Sequence, residues 1–183
     1  MSVRPEEPLR RERMSWEEFL ALPERPRAEW VDGEVVFLMA PPVVDHGDAT
    51  MQLSLLLAPR FPTCFLVPEV FLVLPHNRVR LPDLMLVEHR PPDGWVREPP
   101  LLVVEVLSSS TRSEDTIRKS IDYARGGAGQ CWVVDPDLRA IDVWRLADGE
   151  WELTARVDDD HPTAEVELAG VTVPLEIDRI LRR

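Results

Sequence analysis

Lysine is almost absent from this 183-residue chain: of its 21 Lys and Arg side chains, only Lys119 is lysine. Arginine serves wherever a generic positive charge is enough. A lone lysine therefore marks a place where a compact ammonium on a thin stem is wanted rather than a planar fork. The plainer account is a helix-face pair with Asp115, four residues earlier. Cysteine is scarce as well. Cys64 and Cys131 lie far apart among apolar residues, which excludes a disulfide framework and metal-ligand spacing and reads as two buried reduced thiols. No apolar run approaches the length of a membrane span. Residues 1–13 are charged and polar with no signal-peptide core, so a cytoplasmic protein with no membrane partner is expected. No glycine-rich phosphate loop and no nucleophile elbow around a serine or cysteine occurs. His76, His89 and His161 fall in loops without zinc-ligand spacing.

What is present is an ordinary globular balance, 44% apolar and 30% charged, with a formal net charge of -12. Such acidity argues against a generic nucleic-acid-binding surface. Its distribution softens the objection, because the segment from Leu146 onward carries ten acids against four arginines. Carboxylates clustered in a site would also be neutralised by bound cations.

Ser15 and Glu18 form a capping-box signature for a short helix over residues 14–20. Residues 29–38 read as a hairpin around Asp32-Gly33. Apolar spacing over residues 46–57 predicts a helix opened by His46. Three strand-like runs follow, at 64–74, 79–87 and 101–107. Ser108 to Thr111 supply caps for a helix at about 113–125, ended by Gly126-Gly127. Further strands are expected at 131–134, 140–146 and 150–157, with an Asp148-Gly149 turn, and a last short helix within 175–181. This order describes an α/β fold, a mixed central β-sheet flanked by helices. The chain reads as a single domain, 1–183: a core over about 46–135, an N-terminal helix and hairpin at 14–40, and a C-terminal strand extension at 140–183.

The chemistry concentrates in the two middle strands. Residues 101–107 are apolar on both sides, as in a central strand, yet they contain Glu105. An ionised carboxylate there is costly unless it is paired or bound to a cation. Asp83 follows Pro82 at the start of the neighbouring apolar run, and Glu69 after Pro68 repeats the pattern one strand earlier. Two acids on adjacent strands with one lysine point to a metal-dependent hydrolase. On an ideal helical wheel Lys119 lies about 160° from the Ile117 and Ile121 stripe. It therefore reaches such a site only if the flank it shares with Asp115 and Tyr123 faces the sheet edge.

These residues carry a family resemblance. The ordered set Val31-Asp32-Gly33-Glu34, His46, Leu81-Pro82-Asp83-Leu84, Val103-Val104-Glu105-Val106-Leu107-Ser108, Lys119, Tyr123 and Trp132-Val133-Val134-Asp135-Pro136 resembles the Uma2-type restriction endonucleases of the PD-(D/E)XK superfamily. The resemblance implies a restriction-endonuclease-like core. It further implies metal-assisted hydrolysis of phosphodiesters, with DNA as the nucleic-acid partner and Mg²⁺, replaceable by Mn²⁺, as cofactor. Asp83, Glu105 and the backbone carbonyl of Val106 would bind the cation. The lysine usual two positions after the acid is replaced by Leu107, and Lys119 resembles a lysine that has migrated to the following helix. Glu34, His46, Glu69 and Tyr123 are supporting candidates. Gln130 and Cys131 depart from the Glu-Tyr usual before the tryptophan. A homodimer is expected of a small nuclease that cuts both strands. The alternative is a catalytically silent interaction or nucleic-acid-binding module that kept the fold.

Overall fold

A computed structural model describes residues 10–23, 27–38, 43–107 and 114–182. Strand β1 (Arg10–Arg13) precedes helix α1 (Trp16–Leu20), whose capping box forms as the sequence implies: Glu18 N–H donates to Ser15 Oγ at 3.2 Å and Ser15 N–H to Glu18 Oε2 at 2.7 Å. Strands β2 (Ala28–Val31) and β3 (Glu34–Phe37) make the expected hairpin. Its turn places Asp32 and Gly33 at φ 54° and 81°, the positive-φ pair that a two-residue turn with the strands' own twist requires. Helix α2 (Val44–Leu57) follows, with His46 in its first turn.

The next two runs differ from the sequence expectation. Residues 64–74 do not form one strand but two, β4 (Phe65–Pro68) and β5 (Leu72–Leu74). Residues 79–87 likewise divide into β6 (Arg78–Arg80) and β7 (Leu84–Val87). Both breaks fall at Pro-acid dipeptides. Proline lacks the ladder N–H, and Glu69 takes φ 50°. At each break the chain passes from one sheet to the other, so Glu69 and Asp83 stand side by side at the crossings, with Glu69 N–H donating to Asp83 C=O at 3.3 Å.

Strand β8 (Leu102–Val106), helix α3 (Glu114–Arg125) and strand β9 (Gln130–Asp135) form a β–α–β unit in which β8 and β9 are parallel. Gly129 is required at its close: a Cβ there would lie 2.8 Å from the carbonyl oxygen of Leu101. Strands β10 (Ala140–Ala147) and β11 (Glu150–Val157) extend the sheet; a hairpin of β12 (Thr163–Leu168) and β13 (Val171–Glu176), then α4 (Ile177–Ile180), end the chain. The result is a six-stranded mixed sheet, β11-β10-β9-β8-β7-β4, and a five-stranded sheet, β1-β3-β2-β6-β5.

One face of the six-stranded sheet packs Leu84, Val104, Trp132 and Ile141 against Leu53 and Leu57 of α2 and Val173 and Leu175 of the terminal hairpin. The other gathers Met85, Val103 and Cys131 with Leu72, Leu74 and Tyr123. Cys131 is buried but Cys64 only half-buried, and neither is in a disulfide. No helix among the described residues is long and apolar enough to cross a membrane.

Candidate active site

Strand register brings the two acids together. Strands β7 and β8 are antiparallel with Leu84 opposite Val104 and Met85 opposite Val103. One further step sets Asp83 opposite Glu105, where facing Cβ atoms lie about 4.5–5.5 Å apart. Val106 N–H donates to Asp83 Oδ2 at 2.7 Å, which fixes that carboxylate beside the Val106 backbone. His46 reaches in from α2, its Nε2 3.2 Å from Asp83 Oδ1. The hydrogen bond to Asp83 is the main force raising the His46 pKa; burial and the charge of Arg27 oppose it, and the Val106 backbone supports it.

Glu105 is buried in the centre of the sheet. The Tyr123 hydroxyl donates to its Oε1, and Lys119 Nζ lies 3.5 Å from its Oε2. Burial pushes the Glu105 pKa up to about 7, with the charges of Asp83 and Glu29 adding to the rise and Lys119 and Tyr123 opposing it. Burial, with the charges of Glu105 and Glu29 behind it, also drives the Tyr123 phenol well above its usual 10, so it stays a hydrogen-bond donor.

Helix α3 turns its charged flank inward. Lys119, Asp122 and Tyr123 are buried, while Ile117 and Ile121 are 63% and 44% exposed. The isoleucine stripe is therefore not the core face, because the face beneath α3 supplies countercharges for Lys119 and Asp122 beside an apolar bed for Tyr123. The Asp115 side chain and the Ser108 to Thr111 caps lie outside the described residues.

A further countercharge is Glu29 of β2, a residue the sequence offered only as part of a hairpin. It is completely buried. Its Oε1 accepts from Lys119 Nζ at 2.9 Å and from the Leu81 N–H at 3.0 Å, and its Oε2 accepts from Arg80 Nη1 at 2.8 Å. Burial alone would raise its pKa, but Lys119, Arg80 and the Leu81 N–H together hold it below the ordinary value. Arg80 also donates through Nε and Nη2 to Asp122 Oδ2 at 2.9 and 2.7 Å, closing a ring back to α3.

Two supporting candidates stand elsewhere. Glu34 lies at the turn end of the hairpin and pairs with Arg11 at 3.0 Å, 40% exposed. Glu69 pairs with Arg27, so it neighbours Asp83 through the backbone while its carboxylate is committed to an arginine. The structure thus brings Asp83, Glu105, Lys119, His46 and Tyr123 together, adds Glu29, and leaves Glu34 and the Glu69 carboxylate outside.

Among the described residues, no three His, Cys, Asp or Glu side chains converge as a ready cage for a metal. The donors a cation would meet here are two carboxylates and the Val106 backbone carbonyl. That set suits a hard cation which keeps several waters, as Mg²⁺ does, better than a metal needing an all-protein cage. The raised Glu105 pKa is a second sign of fit, since a cation there would relieve the opposition of Glu105, Asp83 and Glu29.

Comparison with known proteins bears on the fold and the family. No curated protein matches the chain. A crystal structure described as a "putative nuclease belonging to DUF820", from Anabaena variabilis ATCC 29413, superposes with a TM-score of 0.70 at 21% identity, over 90% of this chain and 96% of that one. The two proteins thus share a fold. The Uma2 family, described as "Putative restriction endonuclease", matches residues 16–176, from the capped helix α1 to the end of β13, and the chain belongs to that family.

Proposed function

We propose that this protein is a divalent-cation-dependent endonuclease that hydrolyses phosphodiester bonds in DNA. The observation that carries the proposal is the placement of Asp83 and Glu105 across β7 and β8, with the chain's one lysine against Glu105. Asp83, Glu105 and the Val106 carbonyl would hold the cation, Mg²⁺ or Mn²⁺. Bound there, it would supply Lewis acidity, polarising the phosphodiester and lowering the pKa of water.

The chain's own groups do the rest. Val106 N–H and His46 hold the Asp83 carboxylate in one orientation. The Tyr123 hydroxyl does the same for Glu105 and, with its pKa held high, does not compete as an anion. Lys119 presents a compact ammonium beside Glu105, placed to stabilise negative charge developing on a phosphoryl oxygen. The apolar residues on both faces of β8 limit water around Glu105 and so strengthen these interactions.

Calorimetric titration with Mn²⁺ and Mg²⁺ tests the reading. The parent should bind, and Asp83→Asn and Glu105→Gln should not. Absence of binding by the parent would favour the silent module, a reading supported by the net charge of -12 and by leucine at position 107.

A further inference from the structure

We propose that Glu29 is a positioning residue: the carboxylate of the N-terminal hairpin sets where the Lys119 ammonium stands relative to Glu105. This rests on the reading of Lys119 as a catalytic group.

A lysine carried on a helix ends in a stem of four methylenes, and nothing in the helix itself fixes its nitrogen. The tighter contact of Lys119 is with Glu29, at 2.9 Å, and the looser is with Glu105, at 3.5 Å. Glu29 can act as a fixed reference because it is itself immobilised. It is wholly buried, and both of its oxygens are engaged, by Leu81 N–H and by Arg80. Strand geometry supplies the Arg80 contact. Strands β2 and β6 pair Trp30 with Val79 and Val31 with Arg78, so one further step sets Glu29 opposite Arg80. Arg80 forks onto Asp122, three residues along α3 from Lys119, so the same network holds both the helix and the ammonium. The grip does not use Glu105. It therefore persists when Glu105 turns to a cation, and the ammonium keeps its place at the moment it is needed. On this account the five-stranded sheet is part of the catalytic apparatus.

Lys119 is the only lysine, so protein grown with ¹⁵N,¹³C-lysine gives a single ammonium signal that reads this residue directly. In the full chain, Glu29→Gln should shift that signal and speed exchange of its hydrogens with water, while Mn²⁺ affinity stays within about twofold of the parent. Single-turnover cleavage should fall by about 10- to 100-fold, the usual penalty for misplacing a catalytic group by around an ångström. In the Lys119→Ala background, Glu29→Gln should add no further loss, because two residues acting through one group are not additive. If Glu29→Gln does not fold, Glu29→Asp keeps the charge of the network and withdraws the carboxylate by one methylene, and the same shifts are expected of it. An unchanged lysine signal in a folded Glu29 variant overturns the proposal, as does full additivity in the double variant. The signal is independent of turnover, so a parent that cuts no substrate refutes the nuclease reading without deciding this one.

Discussion

Removing the charge of Glu105 should stabilise the metal-free protein above neutral pH while abolishing cation binding. The folded carboxyl has its pKa raised from 4.5 to about 7, chiefly by burial. At about 1.4 kcal/mol per unit, that is a penalty of about 3 kcal/mol on the ionised form. Glutamine keeps the volume, carries no charge, and retains an oxygen for the Tyr123 hydroxyl. Its amide would face Lys119, which returns part of the gain, so the net stabilisation should be about 1–3 kcal/mol at about pH 8.5. In a chain of this size each kcal/mol moves Tm by about 2–4 °C. The direction with pH follows from linkage. The unfolded carboxyl loses its proton near 4.5 and the folded one near 7, so the folded state holds the proton more tightly between them. The contribution of Glu105 to stability is therefore complete below 4.5 and lost as pH rises through 7. Urea unfolding of chelator-treated parent and Glu105→Gln should give converging stabilities at about pH 5 and a more stable variant at about pH 8.5. A variant less stable than the parent at the higher pH by more than about 1 kcal/mol would refute the reasoning and make Glu105 a structural ion-pair partner of Lys119.

Lys119→Arg and Lys119→Ala should both lower Mn²⁺-supported cleavage, because a longer, forked cation cannot replace a compact ammonium between two carboxylates; equal rates for parent and both variants would leave Lys119 an ion-pair partner only. Tyr123 is the sole tyrosine, so ultraviolet titration reads it alone, and no tyrosinate should form at its ordinary pKa of 10 while the protein is folded. Ionisation at or below that value would mean the phenol is not buried against Glu105. Glu34→Gln should change stability by less than about 1 kcal/mol, as is usual for an exposed pair, and should leave Mn²⁺ affinity unaltered; lost affinity would return Glu34 to the site.

The legible features of the sequence were those written in local chemistry. The Ser15 and Glu18 box, the Asp32-Gly33 turn and the apolar run around Glu105 each state their conformation within a few residues, and all occur as read. The splitting of residues 64–74 and 79–87 was harder to see, because a proline-acid step ends a strand without saying which sheet receives the next one. Inversion of α3 was hidden for a different reason. Ile117 and Ile121 look like a core stripe unless one knows that Glu29, Arg80 and Glu105 lie under the opposite flank, and those partners come from three separate strands. Glu29 itself was one acid among 33, on the same face of the hairpin as Glu34 but two cross-strand pairs further from the turn. Only the pairing of β2 with β6 distinguishes them, and that pairing joins residues about fifty positions apart.

Cleavage of plasmid and single-stranded DNA by the full chain, with Mn²⁺, with Mg²⁺ and with chelator, tests the central claim most directly when parent, Asp83→Asn and Glu105→Gln are run together. The account predicts cutting by the parent that requires the cation and is lost in both variants although each remains folded. Cutting that persists with chelator or in either folded variant, or no cutting of any DNA by the parent, would contradict it.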